Sequence, residues 1–276
     1  MAGAAEGVVD TRSGAKVTTT NFESVRYEKS GQIAYVTINR PASLNALHAP
    51  ASREMGQVFR DFRDDPALRV AILTGAGTRA FCAGYDLKAA AARADRSPAE
   101  DVPFGGITRG FECWKPIIAA VNGYALGGGL ELVLACDIAV AADTAEFGLP
   151  EPRVGYVAVA GGVHRLMRQV PTKHAMGMLL TGRRISAAEA LSFGLVNEVV
   201  APAGLLAAAE SWAALMLECA PLSVQATKQM ALAGLPLPVE EAITRRYSMY
   251  EKARASPDFI EGPRAFAEKR RPRWVA

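Results

Sequence analysis

The sequence predicts an α/β fold, because short apolar stretches typical of buried strands alternate with stretches of helical periodicity. Residues 22–39 contain two alternating runs separated by Ser30 and Gly31, which predicts a β-hairpin. Residues 49–65 then place their large apolar side chains on one helical face. A β-β-α unit therefore opens the fold.

Three further apolar runs have the length of strands and are bounded by glycine, proline or charge: 69–74, 117–121 and 137–142. Beyond about residue 161 only 194–200 still has a strand-like pattern. The other C-terminal stretches are amphipathic at helical spacing: 186–193, 203–218, 222–232 and 239–255. The C-terminal third is therefore expected to be mainly helical.

Composition limits the classes of protein to consider. The chain has 276 residues, of which 50% are hydrophobic, so it can bury a sizeable core. No apolar run approaches the roughly 20 residues of a membrane span. A membrane is therefore not an expected partner. The net charge is only +3, so a nucleic acid is not an expected partner either. Residues 1–20 are small and polar, which predicts a disordered lead-in with no targeting signal.

Cysteine and histidine usage gives no sign of a metal site. The four cysteines form no C-x-x-C and lie in apolar surroundings typical of buried thiols, which suits a reducing cytoplasm. The three histidines have no metal-ligand spacing, so no metal is expected.

Residues 89–107 form an Ala-rich and then Pro- and Gly-bearing segment. It is too polar for the core and long for a plain connection. Two interpretations stay open, a mobile lid and a poorly ordered surface insertion.

One glycine motif is weak. Gly75, Gly77 and Ala80 fit G-x-G-x-x-A after a predicted strand, as in a dinucleotide-binding turn. The helix and the later acidic residue of that unit are missing, which argues against nicotinamide binding.

A second glycine loop is more informative. Gly127, Gly128 and Gly129 precede a helix-like run, so bare N–H groups at a helix N-terminus could stabilise an anion. The alternative is that three small residues simply allow two backbone segments to cross closely.

Two carboxylates lie close to these glycines in the sequence. Glu131 falls within an apolar run, and Glu151 lies between two prolines. Carboxylates in apolar surroundings have raised proton affinity and could form an acid–base pair. The alternative is that they cap a helix or pair with Arg153 or Arg165.

Over residues 22–272 the sequence resembles the enoyl-CoA hydratase (crotonase) superfamily. The motifs that carry the resemblance are NRPASLNAL at 39–47, AFCAGYDLK at 80–88, KPIIAAVNGYALGGGLEL at 115–132, CDIAVAADTAEFGLPE at 136–151, TGRRISAAEALSFGLVNEVV at 181–200 and EGPRAFAEKRRP near the end. The resemblance implies a ClpP-like crotonase fold, with repeated β-β-α units in a spiral core (21–200) and a C-terminal helical trimerisation region (201–276).

The resemblance also implies an enoyl-CoA hydratase. The N–H groups of Tyr85 and Gly128 would form an oxyanion hole for the thioester carbonyl. Glu151 would exchange the proton at the α-carbon, and Glu131 would activate the water that attacks the β-carbon. Coenzyme A is then part of the substrate, and no cofactor is needed.

Further residues are implied to contact the substrate or its coenzyme A: Ser43, Leu44, Ala46, Ala83, Asp86, Leu87, Lys88, Tyr124, Gly127 and Pro150. The family implies a homotrimer or a hexamer built as a dimer of trimers. The basic tail KRRPRW could meet the ligand's phosphates or could be a solvated run of charge.

Two departures from the family pattern concern the substrate. Ala158 replaces a frequent proline in a loop beside the acyl pocket, and Tyr85 replaces a frequent small residue. The GYDLKAAA stretch and the chain's ending look most like the carnitinyl-CoA dehydratase branch, in which an aromatic ring could attract a quaternary ammonium. A non-catalytic acyl-CoA-binding relative is a further alternative, against which both retained glutamates argue.

Overall fold

The computed structural model describes residues 6–9, 16–91 and 102–275. Within these residues the strands are β1 (Glu6–Val9), β2 (Lys16–Asn21), β3 (Val25–Ser30), β4 (Ile33–Ile38), β5 (Val70–Gly75), β6 (Ala80–Cys82), β7 (Ile117–Val121), β8 (Tyr124–Leu126), β9 (Ile138–Ala142), β10 (Glu146–Gly148), β11 (Arg184–Ser186) and β12 (Glu198–Val200). The α-helices of the same residues are α1 (Ala49–Asp64), α2 (Leu87–Ala91), α3 (Gly128–Ala135), α4 (Gly162–Gln169), α5 (Thr172–Thr181), α6 (Ala187–Ser192), α7 (Leu205–Leu217), α8 (Pro221–Gly234), α9 (Val239–Thr244), α10 (Ser248–Ala255) and α11 (Asp258–Ala267). The predicted α/β class is confirmed.

Successive β-β-α units contribute strands to two separate sheets. The large sheet has the order β1-β2-β3-β4-β5-β7-β9-β12, and the small sheet has the order β11-β10-β8-β6. Each of the pairs β5 with β6, β7 with β8 and β9 with β10 adds one strand to each sheet. The large sheet is antiparallel from β1 to β4 and parallel from β4 to β12.

The parallel strands of the large sheet are covered on both faces. One face packs on the main core, which contains Phe59, Phe62, Phe81 and Phe147. The opposite face packs on α7. Strands buried on both sides are apolar at every position rather than at alternate ones, which explains the continuous apolar runs of β5 and β7.

The small sheet positions the site. Strands β6, β8 and β10 are parallel neighbours, so their carboxyl ends meet at one edge. The residues that follow these ends are Ala83 to Tyr85, Gly127 to Gly128, and Pro150 to Glu151. Three loops that are distant in sequence therefore meet in space.

The structure corrects the prediction of a disordered lead-in over residues 1–20. Lys16–Asn21 forms β2 and pairs with β3, and Glu6–Val9 forms β1 on its outer side. The sequence of β2, KVTTTN, contains four β-branched residues, which favour an extended strand. Polarity here reflects a strand near the edge of the sheet rather than absence of structure.

Two other boundaries differ from the prediction. The strand predicted at 194–200 is confined to Glu198–Val200, after a turn at Gly194 with φ of 74°. The helix predicted at 239–255 is two helices, α9 and α10, because the backbone is extended at Arg245 and Tyr247.

Much of the segment 89–107 lies outside the described residues. Residues 102–107 are described, and Gly105, Gly106 and Ile107 are buried. The prediction that this whole segment is too polar for the core was wrong at its C-terminal end, because two glycines and an isoleucine can fit between helices.

The C-terminal helices present large apolar side chains to solvent: Leu232, Leu235, Val239, Ile243, Phe259, Ile260 and Phe266. No single helix in the described ranges is both long and apolar enough to cross a membrane, although the bent pair Pro202–Leu217 and Pro221–Gly234 meets that criterion by length and composition alone.

Candidate active site

The loop after β6 is held in place by main-chain hydrogen bonds. The carbonyl of Gly84, whose φ is 98°, accepts a hydrogen bond of 2.8 Å from the N–H of Leu47. The main-chain N–H of Asp86 donates one of 3.0 Å to the carbonyl of Leu47. These bonds place Tyr85 at the mouth of the site, where its side chain is 39% exposed. Glycine is needed at position 84 because only glycine adopts that φ without strain, and the two main-chain bonds hold the loop in this conformation.

An ion pair supports the same loop from below. Arg40 Nη2 lies 3.1 Å from Asp86 Oδ2, and the same guanidinium donates to the carbonyl of Ala46. Both charged side chains are largely buried. Asp86 therefore supports the loop from within instead of facing the cavity.

The loop after β8 leads directly into α3. Gly127 has a φ of 55° and a ψ of −125°, a conformation open essentially to glycine alone, and its N–H bonds to the carbonyl of Gly148 at 2.9 Å. Gly128 follows as the first helical residue, so its N–H has no partner within the helix. The glycines cross closely with Gly84, as the second interpretation expected. Gly128 also lies at a helix start, and stabilisation of an anion by its N–H stays a prediction.

Glu131 lies one turn into α3 and is buried, with 4% of its surface exposed. Its Oε1 accepts a hydrogen bond of 2.8 Å from the N–H of Gly162. Burial raises the pKa of Glu131 to about 7, with a further contribution from the charge of Glu151 and a partly opposing one from the Gly162 N–H. The group can therefore change protonation near neutral pH.

Glu151 opens a short 3₁₀ turn after β10. Its Oε2 is buried and has no hydrogen-bond partner in the described part of the chain, and burial raises its pKa. Its Oε1 lies against Gly127, where an added Cβ would come within 3.0 Å. An unsatisfied buried carboxyl oxygen is costly, and a substrate atom could supply the missing partner.

The predicted alternative was that these glutamates cap a helix or pair with Arg153 or Arg165. Glu131 does accept the N–H of Gly162 at the start of α4, but the arginine pairs are not observed. Arg153 donates to the carbonyl of Thr181, and Arg165 donates to those of Ala160 and Thr108. Arg165 still attracts the charge of Glu131 over a longer distance. Both carboxyls are thus left available to the cavity.

The two glutamates share one cavity of about 460 Å³. Its lining includes most of the predicted site: Ala83, Tyr85, Leu87, Gly127, Gly128, Glu131, Pro150 and Glu151. Other predicted contacts are not among its lining residues: Ser43, Leu44, Ala46, Asp86, Lys88 and Tyr124. The ring of Tyr124 instead lies beneath the Arg184 guanidinium, 5.3 Å from its centroid.

Sequence reasoning missed much of the cavity wall. The lining residues that it did not name are Val102, Phe104, Thr108, Arg109, Val154, Tyr156, Val157, Val159 and Ala160. The last four lie in the loop around Ala158, which the resemblance had placed beside the acyl pocket. The first four belong to or follow the segment interpreted as a lid or an insertion. The glycine pair after Phe104 was the available signal, because both glycines pack closely on neighbouring helices, Gly105 on Leu132 and Gly106 on Gly56.

This geometry is that of a general acid–base enzyme, since the buried carboxyl of Glu131 and the half-buried carboxyl of Glu151 line one cavity beside a glycine-bounded helix start. The enoyl-CoA hydratase/isomerase family profile matches residues 28–276. The chain belongs to the enoyl-CoA hydratase/isomerase family, as the resemblance implied.

Relatives and solved structures agree with this assignment. The chain is 47% identical over 263 residues to the carnitinyl-CoA dehydratase of Citrobacter koseri and 48% identical over 263 residues to that of Escherichia coli K12, covering 91% of this chain and 98% of each relative. An enoyl-CoA hydratase structure from Mycobacterium tuberculosis H37Rv superimposes with a TM-score of 0.85 at 40% identity, covering 92% of this chain and 99% of that one. The predicted crotonase fold is thereby confirmed.

Proposed function

We propose that this protein reversibly adds water to the double bond of a 2-enoyl-CoA thioester. The observation that carries the proposal is that Glu131, which is buried, and Glu151, which is half-buried with its Oε2 enclosed, both have a raised pKa and line the same cavity as Gly128. The family assignment makes the protein a hydro-lyase, and the retained pair of carboxyls supports hydration or dehydration over reactions that need one carboxyl.

The oxyanion hole is the first element of the mechanism. The N–H groups of Tyr85 and Gly128 donate to the thioester oxygen as it gains negative charge. Donors that are fixed before the reaction need no reorganisation, and loss of one costs about 10²- to 10³-fold in rate. The hydrogen bonds that fix Gly84 and Asp86 on either side of Tyr85 supply this preorganisation.

The carboxyls move the protons. Glu131, in its charged form, accepts a proton from water while the water oxygen forms a bond to the β-carbon. The double-bond electrons move towards the thioester oxygen, and Glu151, in its neutral form, gives its proton to the α-carbon. Both glutamates line one cavity, which supports syn addition. Exchange with solvent then restores the starting protonation states.

The thioester itself supplies the remaining chemistry, so the mechanism uses no cofactor beyond the substrate's own coenzyme A. We place the pantetheine arm along Ala83 and Leu87, which continue the cavity wall from Tyr85. Ser43 and Lys88 are exposed near that side and stay predicted contacts for the rest of coenzyme A.

We further propose a homotrimer or a dimer of such trimers. The exposed apolar side chains of the C-terminal helices, including Ile243, Ile260 and Phe266, support this, because patches of this kind commonly mark protein interfaces. Sedimentation equilibrium tests it. A monomer would contradict it.

A cytoplasmic location stays a prediction, supported by four free cysteines.

The decisive experiment follows the loss of enoyl-thioester absorbance when purified protein meets crotonyl-CoA. Glu131→Gln and Glu151→Gln should each lower kcat by about 10²- to 10⁴-fold, because each removes a positioned acid or base. Glu112→Gln, at an exposed glutamate outside the cavity, is the matched control. If Glu131→Gln and Glu151→Gln each keep the kcat of the wild type, this mechanism is excluded. Tight acyl-CoA binding without turnover would support the non-catalytic relative instead.

A second candidate substrate is crotonobetainyl-CoA. The relatives at 47–48% identity are named carnitinyl-CoA dehydratase, and the exposed rings of Tyr85 and Tyr156 line the cavity, where they could face a quaternary ammonium. Arg109 lines the same cavity and would repel that cation. Much faster turnover of crotonyl-CoA than of crotonobetainyl-CoA would exclude this candidate.

A further inference from the structure

The three glycines before Glu131 exclude a side chain for three different reasons. Gly127 has a backbone conformation that suits glycine alone. A Cβ at Gly129 would overlap the main-chain carbonyl of Cys82. Gly128 lies outside the left-handed region, and the nearest atoms to an added Cβ all belong to the ring of Phe104, with Cε1 at 2.5 Å. Only at Gly128 does a single neighbouring side chain set the limit.

The main chain at and after Phe104 is held between α1 and α3. Gly106 packs on α1 so closely that a Cβ there would come 2.6 Å from the Cα of Gly56. Gly105 packs on Leu132 of α3, and its N–H donates to Ser52 Oγ at 3.3 Å. The carbonyl of Phe104 accepts a bond of 2.9 Å from the Thr108 hydroxyl. The ring of Phe104 therefore joins the cavity wall from a main chain that is held in place.

We propose that Phe104 determines the size of substrate that the enzyme accepts close to the thioester carbonyl. The proposal rests on the proposed function, in which the Gly128 N–H holds the carbonyl oxygen. Phe104 lines the cavity and touches Gly128, so its ring occupies space beside that carbonyl. The substrates that fit are enoyl thioesters without a branch near the carbonyl, and a methyl branch there meets the ring.

A thermal-stability cycle tests the contact without relying on activity. Gly128→Ala should lower Tm by roughly 3–8 °C, because an extra methyl overpacks the wall. Phe104→Leu removes the ring atoms that the methyl would meet. The double variant should therefore lose less than the sum of the single losses. Gly129→Ala is the matched control, because its methyl meets the main chain, and Phe104→Leu should not relieve it.

Substrate preference tests the consequence. Phe104→Leu should raise kcat/KM for 2-methylcrotonyl-CoA relative to crotonyl-CoA by about tenfold, the effect of one methyl group in an apolar pocket. If the wild-type protein hydrates neither thioester, the proposed function fails, but the size limit can still be tested. The ratio of the Kd for 2-methylcrotonyl-CoA to the Kd for crotonyl-CoA, compared between wild type and Phe104→Leu, then measures it. Additive Tm losses, or an unchanged preference in Phe104→Leu, would overturn the proposal.

Discussion

The main-chain N–H of Gly162 donates a hydrogen bond of 2.8 Å to Oε1 of Glu131, which joins the start of α4 to the interior of α3. One carboxyl oxygen is thereby fixed by the backbone. The bond favours the charged form of Glu131 and opposes part of the effect of burial. Burial raises the pKa of Glu131 and the Gly162 N–H limits that rise, so the proposed base can gain and lose a proton near neutral pH.

The same contact predicts the effect of a methyl group at position 162. A Cβ at Gly162 would come 3.0 Å from Oε1 of Glu131 and 2.8 Å from the Cβ of Ala158. Gly162→Ala keeps the N–H but displaces the carboxyl, so kcat should fall about 10-fold or more with a smaller change in KM. Gly177→Ala is the control, because open space surrounds that glycine. Equal kcat in both variants would contradict this prediction.

The raised pKa of Glu131 also predicts how stability depends on pH. The folded protein holds the Glu131 proton up to about pH 7, whereas the unfolded chain releases it near the ordinary value of 4.5. The folded state therefore binds more protons between these values, and its stability falls as pH rises from 4.5 to 7. The total effect is at most about 3 kcal/mol.

Glu131→Gln removes this effect while an amide oxygen can still accept the Gly162 N–H. The Tm of Glu131→Gln minus that of the wild type should therefore increase between pH 5 and pH 8. Differential scanning calorimetry across this range measures it, with Glu112→Gln as the exposed control. A difference that stays constant with pH would show that Glu131 does not titrate in this window.

Arg165 is predicted to act as a positioning residue. Its guanidinium bonds to the carbonyls of Ala160, at 3.3 Å, and Thr108, at 2.9 Å, and so ties together two parts of the cavity wall. It also stabilises the charge of Glu131. Arg165→Met should raise the pKa of Glu131 further, so the inflection of kcat/KM near pH 7 moves to higher pH.

A matched control separates this effect from general loss of structure. Arg168, one turn further along α4, donates to the carbonyl of His164 and lies outside the cavity lining. Arg168→Met should leave the inflection in place. A fall in rate for Arg165→Met at every pH, with no shift of the profile, would limit Arg165 to holding the wall.

The parts of the site that could be predicted follow from local pattern. Glu131 and Glu151 stand out because charge is unusual in apolar or proline-bounded runs, and the strand preceding each loop is readable from its apolar residues. Parallel strand ends then bring the loops together. The sequence therefore predicts the fold class and places both carboxyls in one cavity, while their roles stay predictions.

The parts that could not be predicted depend on contacts between distant segments. Phe104 enters the cavity wall because Gly106 meets Gly56, which lies 50 positions earlier, and no local pattern encodes that meeting. Tyr124 was predicted to contact the substrate, but strand geometry places its ring under Arg184. The Arg40–Asp86 pair was also missed, since its members are separated by a helix and two strands.

That ion pair predicts a link between stability and catalysis. Arg40 and Asp86 lie 3.1 Å apart in a largely buried position, and Asp86 directly follows Tyr85, the proposed oxyanion donor. Removing one member leaves the other charge buried with fewer partners. Asp86→Ala should therefore lower the free energy of unfolding by about 2–4 kcal/mol and lower kcat more than it raises KM.

A double-mutant cycle with Arg40→Met and Asp86→Ala isolates the contribution of the pair. The double variant should lose less free energy of unfolding than the two single variants together, because no uncompensated charge then stays buried. Its kcat should stay low, because the loop before α2 has lost its support. Urea unfolding measures the first quantity, and initial rates with crotonyl-CoA measure the second. Recovery of wild-type kcat in the double variant would mean that the main-chain bonds of Gly84 and Asp86 suffice to position Tyr85.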